Sequence, residues 1–152
     1  KGRIYVYEFE NRGISEIICN NILKRHEIAP HFKSLGLKLI YLGPGTAGIN
    51  MQTDPNHATP TGFLHGGMIA ALADNAMGLA VVTLGNSCLT VGMNINFIAP
   101  VKASEELIAK GQVVSAGKSV VVSEASIFDR KHRLIARSRG TYIKNPNDKF
   151  SA

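Results

Sequence analysis

Residues 64–84 read Leu-His-Gly-Gly-Met-Ile-Ala-Ala-Leu-Ala-Asp-Asn-Ala-Met-Gly-Leu-Ala-Val-Val-Thr-Leu. Ala, Leu and Met dominate, no Pro interrupts, and Gly66-Gly67 stand at the head, so the stretch predicts one long helix. It is apolar on nearly every face, whereas a surface helix carries a polar stripe, so the rest of the chain is expected to surround it. Met68 to Leu84 is long enough to make a membrane span thinkable, but Asp74 and Asn75 at its centre and the diluting Ala and Gly argue for a buried helix of a soluble domain.

Working outward, Gly85-Asn86 ends the helix, and strand-like segments follow at Leu89–Ala99, Leu107–Val114, Ser119–Phe128 and Leu134–Ile143. Pro100, Ala116-Gly117 and Asp129-Arg130-Lys131 separate them, and neighbours joined by short links are expected to pair antiparallel. Upstream, Leu37 to Met51 reads as two short strands turning at Gly43-Pro44-Gly45, followed by a loop over Asp54–Gly62. Residues 15–25 carry apolar groups at helical spacing behind a Ser15 cap, predicting a short helix over a sheet edge. The fold class is therefore α+β, an antiparallel sheet wrapped around one long central helix. At 152 residues this is one domain, with 1–29 an N-terminal extension containing the short helix and 30–152 the main body.

The composition, 45% hydrophobic and 18% charged, excludes a disordered or collagen-like chain. Without Trp and with few aromatics beside its basic residues, the chain lacks the stacking set of a nucleic-acid binder, although a net charge of +6 suits some phosphate-bearing ligand. Cys19 and Cys88 lie in apolar stretches without ligand spacing, and they read as buried thiols in a reducing compartment. The opening Lys1-Gly2-Arg3 resembles no signal peptide, so the expected location is cytoplasmic, away from membranes.

Asp74 is a carboxylate in mid-helix within an apolar run, where ionisation is costly unless something pairs with it. Two readings stand: a buried Asp satisfied by its neighbours, or a catalytic nucleophile or general base. Gly66 and Gly67 are either a simple glycine turn into the helix, or backbone donors at a positive helix end that a substrate oxygen can approach closely. His65 could orient a substrate or the loop. No metal is expected, since no second His or Cys lies three or four residues away and His57 has no ligand pattern around it. Along one helix, Gly66 and Asp74 lie about 12 Å apart and about 80° around the axis, so a reaction using both needs glycines from one subunit and the aspartate of another. That predicts a two-fold homodimer with two shared sites.

His65-Gly66-Gly67, six further residues and Asp74 resemble the signature of hotdog-fold acyl-CoA thioesterases of the phenylacetate-degradation type. The likeness runs from about Pro30 to Ile143, taking in Leu39–Gly45, the Val91–Pro100 stretch and Gly140-Thr141-Tyr142. The resemblance implies a hotdog fold, a homodimer or dimer of dimers (a homotetramer), and hydrolysis of an acyl- or aryl-CoA thioester without a separate cofactor, coenzyme A being part of the substrate. It implies that the Gly66 amide polarises the thioester carbonyl, that the partner subunit's Asp74 attacks it or activates water, and that Thr90 helps hold that Asp. Where the family usually carries Asn six residues before the His, this chain has Thr59, with Asn56 nearby as another polar group.

Arg133, Arg137 and Arg139 share one strand parity, and with Arg130, Lys131 and the Gly117-Lys118-Ser119 turn they are read as a group binding the coenzyme A phosphates, with a solvated basic face as the plain alternative. Two other functions are weighed: a non-catalytic acyl-CoA sensor, and a hotdog hydratase or dehydratase, whose motif differs. Aryl and medium-chain acyl groups are both compatible, depending on how Phe63, Met68 and Met77 pack.

Overall fold

The computed structural model of the chain describes residues 7–151. The opening Lys1-Gly2-Arg3, on which the leader expectation rests, lies outside the described residues, as do 4–6 and 152. The elements are β1 (Glu10–Asn11), α1 (Glu16–Ile28), α2 (Pro30–Ser34), β2 (Leu37–Gly43), β3 (Thr46–Gln52), α3 (Gly66–Val82), β4 (Asn86–Phe97), β5 (Glu106–Ala116), β6 (Val120–Asp129) and β7 (Leu134–Lys149). A single 3₁₀ turn, Pro55–His57, interrupts the loop before α3.

The seven strands form one sheet in the order β1-β2-β3-β5-β6-β7-β4, antiparallel apart from the short parallel pairing of β1 with β2. One face wraps α3, which packs on β3 through β7. The contact is closest at Gly111 of β5, where a Cβ would sit 2.1 Å from Ala76 O, so only glycine lets strand and helix approach this far. Alternate residues of β6, Val121, Ser123, Ala125 and Ile127, face the core with Leu72, Ala76, Met77 and Ala80 of α3.

Two expectations need correction. β4 does not pair with its sequence neighbour β5; it lies at the far edge beside β7, and β5 sits between β3 and β6. Only a tight turn forces sequential strands together. The β4–β5 link is long enough to cross the start of α3, where Leu64 N donates to Val101 O over 2.7 Å and Phe63 bridges Lys102. Nor is α3 covered on every face, for Gly67, Ala71, Asp74, Asn75 and Gly78 form a stripe that its own chain leaves partly open.

The helix expected near residues 15–25 is α1, with Ser15 Oγ accepting from Ile18 N as its cap. Its polar ties run to the C-terminal stretch: Asn21 Nδ2 donates to Phe150 O at 2.8 Å, and Arg25 pairs with Asp148.

Candidate active site

Asp74 lies halfway along α3 on the open stripe, beside the β4 and β7 strands. Thr90 of β4 and Tyr142 of β7 are directly paired across the sheet and both face the helix. Their hydroxyls donate to Asp74 Oδ1, Thr90 Oγ1 at 2.9 Å and Tyr142 Oη at 2.8 Å. Oδ2 has no donor among the described residues. Burial first, then the hydrogen bond to Asp74, holds the Tyr142 hydroxyl far above the ordinary phenol range, so it remains a donor throughout the accessible pH range. A cavity of about 180 Å³ opens here, lined by Asp74, Thr90 and Tyr142 with Gly78, Leu79, Val82, Cys88 and His26.

The sequence reading missed Tyr142 as a partner of Asp74. A signal was available: Tyr142 shares its strand parity with the inward Ser138 and Gly140, and a buried tyrosine hydroxyl needs a partner. The acyl preference was expected to depend on how Phe63, Met68 and Met77 pack. Met77 is fully buried, Phe63 is exposed beside Lys102, and none of the three lines the Asp74 cavity.

At the head of α3, His65 is the N-cap in an extended conformation, and its Nδ1 accepts from Gly67 N at 2.9 Å. This corrects the view of two free glycine amides, since the Gly67 amide is already satisfied. It also gives His65 a defined role: with Nδ1 as acceptor, the neutral imidazole carries its proton on Nε2. A Cβ on Gly67 would lie 3.0 Å from that nitrogen, so glycine is what allows the ring to fold over the amide. Gly66 N has no acceptor among the described residues, and the Phe97 ring of β4 lies beside Gly66, 3.2 Å from where a Cβ would be.

The loop before His65 is pinned by His65 N donating to His57 O at 3.0 Å and Thr59 N to Phe63 O at 2.7 Å. The Thr59 hydroxyl contacts Thr61 Oγ1 at 3.0 Å. Asn56 is exposed, and its backbone N–H donates to Asp54 Oδ1. His57 Nδ1 is buried here with no hydrogen-bond partner among the described residues.

The basic residues do not form one patch. Arg130 pairs with the buried Glu106, Arg133 with the buried Asp129, and Arg139 with Glu124. Arg133 sits in the β6–β7 turn and also donates to Pro100 O, so only Arg137 and Arg139 share the outward face of β7. The Gly117-Lys118-Ser119 turn lies at the opposite end of β6, about 30 Å away at the usual strand rise, held by Lys144 Nζ donating to Gly117 O. Lys118 and Lys131 are exposed, and neither has an ion-pair partner among the described residues.

A helix sheathed in a sheet, with a hydroxyl-held carboxylate on its open stripe and an unpaired amide at its head, defines an enzyme-like site on a hotdog scaffold. Residues 61–136 match the family model of the Thioesterase superfamily, and the chain belongs to that family. It is 30% identical to a putative esterase of Saccharolobus solfataricus, over 89% of this chain and 87% of that one. Human acyl-coenzyme A thioesterase 13 is 30% identical over 69% of this chain and 77% of its own. The structure of the PaaI protein of Escherichia coli superposes with a TM-score of 0.84 at 25% identity, covering 90% of this chain and 99% of that one.

Proposed function

We propose that the protein hydrolyses acyl-CoA thioesters to a carboxylate and free coenzyme A. The observation that carries this reading is the Asp74 carboxylate, fixed through Oδ1 by Thr90 and Tyr142 with Oδ2 left to react at a cavity. Asp74 supplies the electron pair, either to the thioester carbonyl carbon or to the proton of an attacking water. The Gly66 amide, at the positive end of α3, stabilises the oxyanion, and collapse expels the thiolate of coenzyme A, leaving the free acid when water attacked or, when Asp74 itself attacked, an acyl–Asp74 anhydride that water then cleaves to the acid and the regenerated carboxylate. No separate cofactor takes part.

Gly66 and Asp74 lie about 12 Å apart along one helix, so each site joins Gly66 of one subunit to Asp74 of the other. The edge of β4, with Leu89, Val91 and Phe97 exposed, supports a two-fold homodimer, and pairing of two such dimers gives the tetramer. Lys118, Lys131 and Arg137, which carry no ion pair among the described residues, are the cations left to meet the coenzyme A phosphates. Thr59 stands where the family Asn would, holding the loop before Gly66. Two free cysteines favour a reducing, cytoplasmic setting.

The test is thiol release from a panel of acyl-CoAs. Asp74→Asn is expected to lose about a thousandfold in kcat with the fold retained. Binding without release by the native protein would favour the sensor instead. Mixing Gly66→Pro and Asp74→Asn subunits should restore about a quarter of native activity, because half of the random dimers then hold one intact site of two.

A further inference from the structure

His26 lines two separate hollows. One is the cavity of about 180 Å³ at Asp74. The other is a mainly apolar groove of about 330 Å³ lined by Phe9, Leu23, Phe32, Leu37 and Leu39 with the stems of Glu27, Lys33 and Lys38. The ring is fixed on two sides, and a neighbouring contact anchors the short helix beside it. Nδ1 donates to Ile22 O one turn earlier at 2.8 Å, the Phe32 ring meets it edge-on with centroids 5.2 Å apart, and His31 Nε2 contacts Asn75 Oδ1 at 3.1 Å, tying α2 to α3 beside Asp74. The matched family region begins at residue 61, so this wall is built by a part of the chain that the family model does not cover.

We infer that His26 is the specificity-determining wall of the acyl pocket: it ends the Asp74 cavity short of the apolar groove and restricts the substrate to short acyl chains. This rests on the thioesterase reading of Asp74. The cavity alone is smaller than the pockets that hold drug-sized ligands, whereas cavity and groove together reach that range. An acyl chain starting at Asp74 runs past Gly78, Leu79 and Val82 and meets the imidazole edge. Each methylene that finds no apolar wall beyond that edge forfeits about fourfold in binding.

The experiment uses straight-chain esters from acetyl- to decanoyl-CoA. kcat and KM are measured for the native protein, His26→Ala and His26→Ser, and dissociation constants for each on an Asp74→Asn background, where the esters persist. With native His26, affinity is expected to stop rising after the short chains. Without the imidazole it should keep rising by about fourfold per methylene into the groove. His26→Ser, whose hydroxyl can still donate to Ile22 O one turn earlier, keeps the test open if His26→Ala does not fold. A plateau at the same chain length in all forms, or an equal loss for every ester, overturns the inference. A shifted affinity profile in a protein that releases no thiol would support the wall while refuting hydrolysis.

Discussion

Tyr142 Oη donates to Asp74 Oδ1 over 2.8 Å, from a residue 68 positions further along the chain, and it shares that oxygen with Thr90. Two donors on one carboxylate oxygen fix the rotation of the side chain and direct the other oxygen to the cavity.

A hydrogen bond to a charged group contributes about 1.5–3 kcal/mol, so Tyr142→Phe should lower kcat by about tenfold to a hundredfold while KM stays near native. Thr90→Val should act in the same direction. Because both act through one oxygen, the double variant should lose less than the product of the single losses, which a kinetic double-mutant cycle measures.

Gly66 is the first helical residue, where proline is tolerated because its missing amide would be unpaired anyway, and the extended His65 suits a following proline. Gly66→Pro should therefore keep the fold, with a melting temperature lowered only by the shift it asks of the exposed Phe97 ring, yet lose about a hundredfold to a thousandfold in kcat. Gly67→Ala presses on the His65 ring and should lower stability by about 1 kcal/mol through the lost cap, with a smaller kinetic effect. Comparable kinetic losses from both would refute the assignment of the oxyanion donor to Gly66.

Burial, reinforced by the nearby Asp74 charge, pushes the Cys88 thiol up to about 11. Only about a thousandth of it is then thiolate at pH 8, so iodoacetamide should modify Cys88 far more slowly in the native protein than in the unfolded chain. Since burial is the larger cause, Asp74→Asn should quicken the reaction only modestly. Timed peptide mapping reads both.

Arg130→Ala leaves Glu106 buried with Asn50 as its remaining side-chain partner among the described residues and should cost about 2 kcal/mol of stability, whereas Lys131→Ala should be near neutral in stability and weaken coenzyme A binding. Burial alone would raise the Asp129 carboxyl, but the Arg133 and Lys131 amides and the Arg133 guanidinium outweigh it and hold it below the usual range. Its stabilising contribution is thus complete above the unfolded carboxylate value of about 3.9 and is lost as pH falls through the depressed folded value. Asp129→Asn should flatten the acid side of the stability curve, read by urea melts across pH.

The sequence by itself determined the central helix, its cap region, the strand segments and the separation of Gly66 from Asp74 along one helix, because each depends on local periodicity or on helix geometry over eight residues. Thr90 entered the reading only through family likeness, and the sheet then placed it on Asp74. Strand order, the Tyr142 partner, the pairing of Arg130, Arg133 and Arg139 with carboxylates, and the His26 wall were decided by tertiary structure. Each joins groups far apart in the chain, and whether a cation stays free or is neutralised depends on which strand lies beside it. The asymmetry between the two glycines has another origin: a side chain two residues away turned back on its own helix, a rotamer choice that residue spacing alone does not encode.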